Sequence, residues 1–362
     1  MSFWGTVIMT ASQDPLPSAI SAAWITIGIV ALVVLAFGLF GPFELQWRTF
    51  AVPASATALL AGAGWYYRAI RHEERLGTIL TSSAQIIGFA MVTAPLSYLA
   101  ALPAFPLQDA LLDVWDRRLG IDWQSMISFI SQHSGLQHVL LLAYGSFAVQ
   151  TITTVLILGV TGRLVRLNAF VHAFIATTLI AIVVSIPCPA TGPWLFHDLQ
   201  PAAANGFLPA SATSWPVFLG LRDGTLSTLQ GLHSEGIITF PSLHAALGIL
   251  FSVAVWPVKG LRWCAFGLNG LMLLATPAYG SHYVVDVIAG ILVAAACWIM
   301  IARRLGVAPV MLRQHLAAIE GAPPLAPDRP PEPAQHSFSR RLNRSETGPA
   351  DLAIAAQRDG RF

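Results

Sequence analysis

The chain has 362 residues, of which 55% are hydrophobic and only 10% carry a charged side chain. Its mean hydropathy of +0.64 is too high for a soluble domain of this length, so the composition predicts a protein that crosses a membrane several times. The formal net charge of +2 comes from basic residues scattered at the ends of apolar segments, which argues against a nucleic-acid partner. The three cysteines form no CxxC pair and predict neither a disulfide framework nor a thiolate metal site.

Eight stretches approach the roughly 20 apolar residues that a membrane span requires, and they predict an all-α bundle of about eight transmembrane helices. The predicted spans are residues 20–43, 49–70, 77–103, 137–160, 167–187, 241–257, 261–281 and 282–304. The first nineteen residues contain no Lys or Arg, so we expect the first span to be retained as an anchor and not cleaved as a signal peptide.

The pattern between and beyond the spans predicts three regions. Residues 1–76 would form N-terminal transmembrane helices, residues 77–304 the main membrane domain, and residues 305–362, rich in Pro, Arg and Ser, a disordered tail. Within the main domain, residues 105–135 mix apolar and charged side chains at helical spacing, as in an amphipathic helix that lies in the membrane interface. Residues 188–240 form a long connection, and loops of this length usually carry function.

The distribution of basic residues predicts the orientation of the chain in the membrane. With the N-terminus in the cytoplasm, the inner loops and adjoining helix ends carry nine Lys or Arg residues and the outer segments carry four. This topology places the connection 188–240 and the starts of the sixth and eighth spans outside, and the tail in the cytoplasm. The high Ala and Arg content, without a eukaryotic targeting signal, favours a bacterial inner membrane whose outer side faces the periplasm.

Two histidines begin the sixth and the eighth predicted spans. His244 follows Pro241 and Ser242 in the stretch FPSLHAA, and His282 comes 38 residues later in HYVVDVIAG. Because two spans of similar rise return the chain to the same depth, the two side chains should face each other. Asp286 lies four residues after His282 on the same helix face, so its carboxylate can reach one ring nitrogen of that histidine.

A histidine backed by a carboxylate and facing a second histidine suits phosphoryl transfer by covalent catalysis. The imidazole of His282 would attack phosphorus, protonated His244 would donate to the departing oxygen, and water or an alcohol would discharge the phosphohistidine. A proline at the helix start, the free N–H groups of the first turn and Ser242 would form a cradle for the phosphate anion. This mechanism needs no metal, and we expect no cofactor.

The same two motifs resemble the second and third signature motifs of the type 2 phosphatidic acid phosphatase superfamily. Many members of the superfamily have Gly where this sequence has the Leu of PSLH. With Leu at this position, the motif resembles the branch that contains fungal inositol phosphorylceramide synthase and its bacterial relatives. The resemblance covers about residues 90–304. It implies a six-helix phosphatase-like core and a metal-independent reaction on a lipid phosphate, with His282 as nucleophile, His244 as general acid and Asp286 as the group that orients His282.

Two features of the broader superfamily are missing from this sequence. Thr276 stands where the third motif often has an Arg, and no KxxxxxxRP motif is present. Other side chains must then bind the phosphate, and guanidinium groups match its oxygens in two-point geometry. The candidates in the outer segments are Arg222, then Arg117 and Arg118, beside Ser242.

Two other functions would use the same residues. His244, His282 and Asp286 are also the residue types that bind the catalytic zinc of a membrane hydrolase, and His282 with Asp286 could form the proton relay of a transporter. A relay is expected near the bilayer midplane, whereas this cluster is predicted at one membrane face. The expected partners are a lipid phosphate substrate and the surrounding lipids; hydrolysis or transfer, the lipid, the acceptor and the oligomeric state stay open.

Overall fold

The polypeptide folds almost entirely into helices in the computed structural model, which describes residues 15–41, 43–199, 208–230 and 236–307. The predicted all-α fold is confirmed. The α-helices within these ranges are α1 (Pro15–Phe40), α2 (Trp47–Ala69), α3 (Glu74–Ala101), α4 (Asp109–Arg118), α5 (Trp123–Gln132), α6 (Ser134–Gly145), α7 (Phe147–Val160), α8 (Leu164–Ser185), α9 (Pro193–Phe196), α10 (Ser214–Asp223), α11 (Leu243–Val255), α12 (Leu261–Gly280) and α13 (Val284–Arg304). Most of the predicted tail, residues 308–362, lies outside the described residues.

The eight predicted spans each coincide with a helix or a helix pair. By length and hydropathy, four helices can cross a membrane: α1 from Ala19, α3, α8 and α13. Helices α6 and α7 meet at an angle of 49° and together are long and apolar enough to make a fifth, broken span. Helices α2 and α12 are long enough but less apolar, because polar side chains such as Arg48 and Asn269 interrupt them. The chain is therefore a membrane protein.

Helix α11 is apolar but only 13 residues long, and it lies at the centre of the bundle. Its Leu247, Leu250 and Phe251 are fully buried in a cluster to which α3, α7, α8 and α12 also contribute. Two arginines hold the C-terminal end of α11: Arg163, just before α8, and Arg166, in the first turn of α8. Arg163 donates to the carbonyl of Pro257 at 3.1 Å, and Arg166 donates from Nε to the carbonyl of Ala254 at 2.7 Å. The bond to Ala254 satisfies a carbonyl that the helix leaves unpaired at its C-terminus, and the bond to Pro257 holds the chain just beyond it.

The long connection between α8 and α11 is folded where it is described. It contains α9, a short 3-10 helix at Ala210–Thr213, α10 and the two-residue strand β2 (Thr228–Leu229). Strand β2 pairs in parallel with β1 (Glu44–Leu45), which joins α1 to α2. This pairing ties the connection to the N-terminal helices. The predicted division of the chain at residue 76 stays a prediction.

The starts of α11 and α13 touch each other, which brings the two histidine motifs together. The backbone N–H of Ser242 donates to the carbonyl of Asp286 at 3.0 Å. Gly290, one turn farther along α13, packs so closely on α11 that a Cβ there would overlap the carbonyl oxygen of Ser242. The missing side chain of Gly290 thus sets the distance between the two helix starts.

We expect Gly290→Ala to lower the thermal stability of the detergent-solubilised protein. The added methyl group has backbone as its neighbour, which cannot rotate away, so the cost should be that of an overpacked core, about 1–3 kcal/mol. The control is Gly267→Ala on α12, where an added Cβ would meet nothing within 4 Å. Equal unfolding midpoints for the two variants would show that the close contact at Gly290 does not constrain the bundle.

Candidate active site

His282 lies in the turn between α12 and α13, and one of its ring nitrogens is held by backbone. Nδ1 is 2.8 Å from the carbonyl oxygen of Thr239 and 3.5 Å from Oδ2 of Asp286. Both neighbours are acceptors, so Nδ1 carries the hydrogen and the lone pair resides on Nε2. The sequence predicted the approach of Asp286; the shorter bond to Thr239 was not predicted.

Asp286 is fully buried in the first turn of α13. Its Oδ2 accepts a hydrogen bond from the backbone N–H of Tyr283 at 2.9 Å, so the carboxylate caps the N-terminus of its own helix. The same oxygen is the one that faces Nδ1 of His282. Asp286 therefore shapes the turn that carries His282 and also places a carboxyl oxygen beside its ring.

His244 is the second residue of α11, and its ring packs against two aromatic rings. The ring of Tyr144, on α6, stacks on it with centroids 4.2 Å apart and planes inclined by 14°. The ring of Phe147, on α7, lies 5.1 Å away at 47°. The hydroxyl of Tyr144 is 3.3 Å from Nδ1 of His244. The bend between α6 and α7 thus places both aromatic side chains around one imidazole.

His244 and His282 line the same cavity, which has a volume of about 380 Å³. The structure therefore brings together the two histidines that the sequence paired. Most of the remaining lining is apolar or uncharged, and among the described residues no Arg or Lys takes part in it. The helices that contribute are α3, α6, α7, α8, α10, α11 and the end of α12, together with the stretches 190–191 and 236–239.

Gly280 leaves open space between His282 and Tyr144. A Cβ at this position would lie 2.5 Å from Cδ2 and 3.2 Å from Nε2 of His282, and 3.0 Å from the hydroxyl of Tyr144. Tyr144 and His282 thus flank one point on the cavity wall. A side chain at residue 280 would overlap the ring of His282 and crowd the hydroxyl of Tyr144.

The four predicted phosphate ligands lie outside the cavity lining. Ser242 is fully buried, and its hydroxyl caps α11 by accepting from the N–H of Ala245 at 3.4 Å. Arg222 donates to the carbonyl of Phe105 at 2.7 Å. Arg117 forms an ion pair with Asp113, and its side chain is 65% exposed; Arg118 is exposed as well. These side chains already have other partners or face outward, so their phosphate-binding role stays a prediction.

A helix outside the two motifs holds the start of α13. Asp116, on α4, accepts from the backbone N–H of Val284 at 2.9 Å and of Val285 at 3.0 Å, and from Nε1 of Trp123 at 3.2 Å. Burial raises the pKa of Asp116, and the hydrogen bonds from Val284 and Val285 oppose that rise. The carboxylate thus replaces the intrahelical partners that the first N–H groups of α13 lack.

A second carboxylate of α4 holds the long connection against the same turn. Asp109 accepts from the N–H of Thr191 at 3.0 Å and of Gly192 at 2.9 Å, and from the hydroxyl of Tyr283 at 3.1 Å. Asp109 is 3% exposed and Asp116 is fully buried. Their spacing of seven residues places both on one face of α4. In the sequence this spacing indicates only an amphipathic helix.

No group of three or more His, Cys, Asp or Glu side chains is placed to hold a metal ion in the part of the chain that the structure describes.

The comparison with protein families identifies the region that contains this site. A family model described as PAP2 superfamily, the superfamily of type 2 phosphatidic acid phosphatases, matches residues 110–300, just over half of the chain. The matched region runs from α4 into α13 and includes both histidines and Asp286. Neither the curated proteins nor the solved structures gave a match.

We expect Asp116→Asn to destabilise the protein, because the amide –NH₂ would point a donor at one of the two backbone donors of α13. Leaving a buried N–H unpaired costs about 1–3 kcal/mol. The control is Asp122→Asn, the same change at the exposed start of α5, where Asn caps a helix as well as Asp. Thermal unfolding in detergent measures both variants, and equal midpoints would contradict the role of Asp116.

Proposed function

Because this chain belongs to the PAP2 superfamily, we propose that it is a membrane lipid phosphatase or phosphotransferase that works through a phosphohistidine intermediate. The observation that carries the proposal is the state of His282. Its Nδ1 is held by the Thr239 carbonyl beside Asp286, which leaves Nε2 as the nucleophilic nitrogen in a cavity shared with His244. The substrate would be a phospholipid or an isoprenyl (di)phosphate.

In the first step, the lone pair of His282 Nε2 forms the N–P bond while the bond from phosphorus to the leaving oxygen breaks. Protonated His244 gives its proton to that oxygen, so the lipid departs as a neutral alcohol, or as a phosphate ester if the substrate is a diphosphate. In the second step, water or an acceptor alcohol attacks phosphorus, the N–P bond breaks, and His244 takes the proton of the attacking hydroxyl. Asp286 stabilises the positive charge that develops on the His282 ring.

The phosphate would be bound by backbone at the start of α11. Leu243 and His244 are the first two residues of that helix, and both line the cavity. Their N–H groups precede the first intrahelical bonds and lie at the positive end of the helix dipole, where anions bind favourably. Ser242 would contribute by fixing the helix start. Arg222, whose guanidinium lies over the Phe218 ring of the cavity wall at 5.4 Å, is the predicted cation that contacts a lining residue.

The apolar part of the cavity would receive the lipid chain. Ala90, Thr93, Ala94 and Ser97 follow one face of α3 and leave room beside the histidines. The predicted orientation places this end of the bundle at the outer leaflet, in the periplasm if the source is bacterial, with the tail in the cytoplasm. Transfer to an alcohol, as in the branch that resembles inositol phosphorylceramide synthase, and hydrolysis differ only in the second-step nucleophile.

Release of inorganic phosphate tests the proposal. We expect purified protein in detergent to release phosphate from phosphatidic acid or an isoprenyl diphosphate in excess chelator. His282→Ala should abolish release, and His244→Ala should lower it by about 10² to 10⁴-fold, the usual contribution of a general acid. The control is His172→Ala, because His172 bonds a carbonyl within α8 and does not line the cavity.

Each other outcome identifies a different function. Release that the chelator removes would favour the zinc hydrolase. A trapped phosphohistidine without release would indicate a transferase that lacks its acceptor. With neither release nor a phosphohistidine, the proposal fails and the proton-coupled transporter becomes the leading alternative.

We expect Ala94→Phe to impair turnover of long-chain substrates selectively, because the added ring would occupy the apolar part of the cavity. KM for a long-chain lipid phosphate should rise about tenfold or more, the equivalent of 1.4 kcal/mol, while a short-chain phosphate should be affected less than about threefold. Ala100→Phe, on the same helix and away from the cavity lining, is the control. Equal effects on long and short chains would place the lipid chain elsewhere.

A further inference from the structure

A second cavity lies among the first three helices, away from the two histidines. It has a volume of about 240 Å³ and is lined by Ile20 and Trp24 of α1, by Ala61, Trp65, Arg68 and Ala69 of α2, and by Thr81 of α3. All of these residues precede residue 110, so this cavity lies outside the region that the family model matches. On α3, Thr81 comes nine residues before Ala90, where the lining of the histidine cavity begins on that helix, which is a rise of about 14 Å.

Close packing of α2 on α3 fixes Arg68 at this second cavity. A Cβ at Gly64 would lie 2.5 Å from the hydroxyl oxygen of Thr81, so the two helices touch there. One turn after Gly64, the Arg68 guanidinium donates from Nη2 to the same hydroxyl at 2.8 Å. At the start of α1, the carbonyl of Ile20 accepts from Nε2 of Gln85 at 3.0 Å, which ties α1 to α3. Specific contacts therefore hold the walls of the cavity together.

Arg68 brings a positive charge to the cavity and keeps hydrogen-bond donors to spare. The ion pairs found among the described residues do not include it. Its Nε is buried without a hydrogen-bond partner, and Glu74, at the start of α3, acts on it only electrostatically. Charge-assisted hydrogen bonds to phosphate oxygens are the interactions for which a guanidinium is best suited. The cavity thus offers a binding group for an anion.

The remaining walls favour a lipid over a soluble anion. The side chain of Trp65 is 64% exposed on the surface of α2, and Trp24, Ile20 and Ala61 add apolar surface. Tryptophan is enriched at the depth where lipid headgroups meet hydrocarbon. Between residues 68 and 75 three arginines accompany two glutamates, so this end of the bundle keeps a net positive charge. The predicted orientation makes it the cytoplasmic face, where basic pockets between transmembrane helices bind anionic headgroups.

We propose that this cavity binds an anionic membrane phospholipid, with Arg68 on the phosphate and the two tryptophans against the glycerol and the acyl chains. The bound lipid would join α1 and α2 to α3, a helix that also lines the histidine cavity. The inference concerns a site separate from catalysis and does not depend on the proposed function.

The test measures the lipid preference of the full chain by native mass spectrometry in detergent. Phosphatidylglycerol and phosphatidylcholine with identical acyl chains are added at equal concentration to the His282→Ala variant, so that no lipid is turned over. We expect the first bound lipid to be phosphatidylglycerol by about fivefold or more, because the choline cation would be repelled by Arg68. Arg68→Gln should reduce this preference to less than about twofold.

Arg71→Gln is the matched control for charge. Arg71 follows α2 directly, is exposed and does not line the cavity, so this variant should keep the preference of the parent protein. A second pair of variants tests the shape of the site while leaving Arg68 and Thr81 in place. Ala61→Phe should lower phosphatidylglycerol binding by filling the cavity, whereas Ala58→Phe, at an exposed position on the same helix, should not. Unfolding midpoints check that each variant keeps its fold.

Three results would overturn the proposal. Equal binding of the two lipids would show that the headgroup charge is not recognised. Equal losses in Arg68→Gln and Arg71→Gln, or in Ala61→Phe and Ala58→Phe, would indicate diffuse attraction to the surface. Displacement of the lipid by an equal concentration of glycerol 3-phosphate, which has the charge but no acyl chain, would indicate a site for soluble anions. Since no turnover is recorded, none of these results bears on the phosphohistidine mechanism.

Discussion

The hydrogen bond between His282 Nδ1 and the Thr239 carbonyl is the constraint around which the rest of the site is built. It decides which ring nitrogen carries a lone pair, and it joins the stretch before α11 to the turn before α13. The Thr239 carbonyl belongs to the backbone, so its position does not change with side-chain rotamers. The orientation of the His282 ring therefore depends on where α11 and α13 begin relative to each other. Those starts are fixed by the contact of Ser242 with Asp286 and by the absence of a side chain at Gly290.

Buried carboxylates surround the turn at His282, and hydrogen bonds from backbone N–H groups offset the cost of burying them. An ionised carboxylate in an apolar interior is costly unless it is hydrogen-bonded. Asp116 accepts two N–H groups at the start of α13, and Asp109 accepts two from the long connection. These bonds explain why α4 and that connection lie against the membrane helices. Through them, α4 and the long connection, neither of which spans the membrane, hold the turn at His282 in place.

The helices and the approach of Asp286 to His282 could be predicted because their signals are local: apolar run length, and residues four apart on one face. The shared cavity of His244 and His282 could be predicted because two spans return the chain to the same depth. Partners remote along the chain could not. Thr239 acts through its carbonyl, which leaves no trace in side-chain identity, and Tyr144 comes from a different helix. Arg222 shows that nearness to the motif in sequence does not decide a side chain's partners. Its guanidinium contacts the carbonyl of Phe105 and the ring of Phe218. Polar residues in α2 and α12 likewise lower their hydropathy without preventing helix formation.

The shortness of α11 has a consequence for how this helix is held in the membrane. Thirteen residues rise about 20 Å, which is well short of the roughly 30 Å of a hydrocarbon core. Alone, α11 is therefore too short to cross the membrane. Arg163 and Arg166, which precede and begin α8, donate to the carbonyls of Pro257 and Ala254 at its far end, so α8 supplies hydrogen-bond partners there. The helix that carries His244 thus depends on its neighbours both for its place in the membrane and for its C-terminal hydrogen bonds.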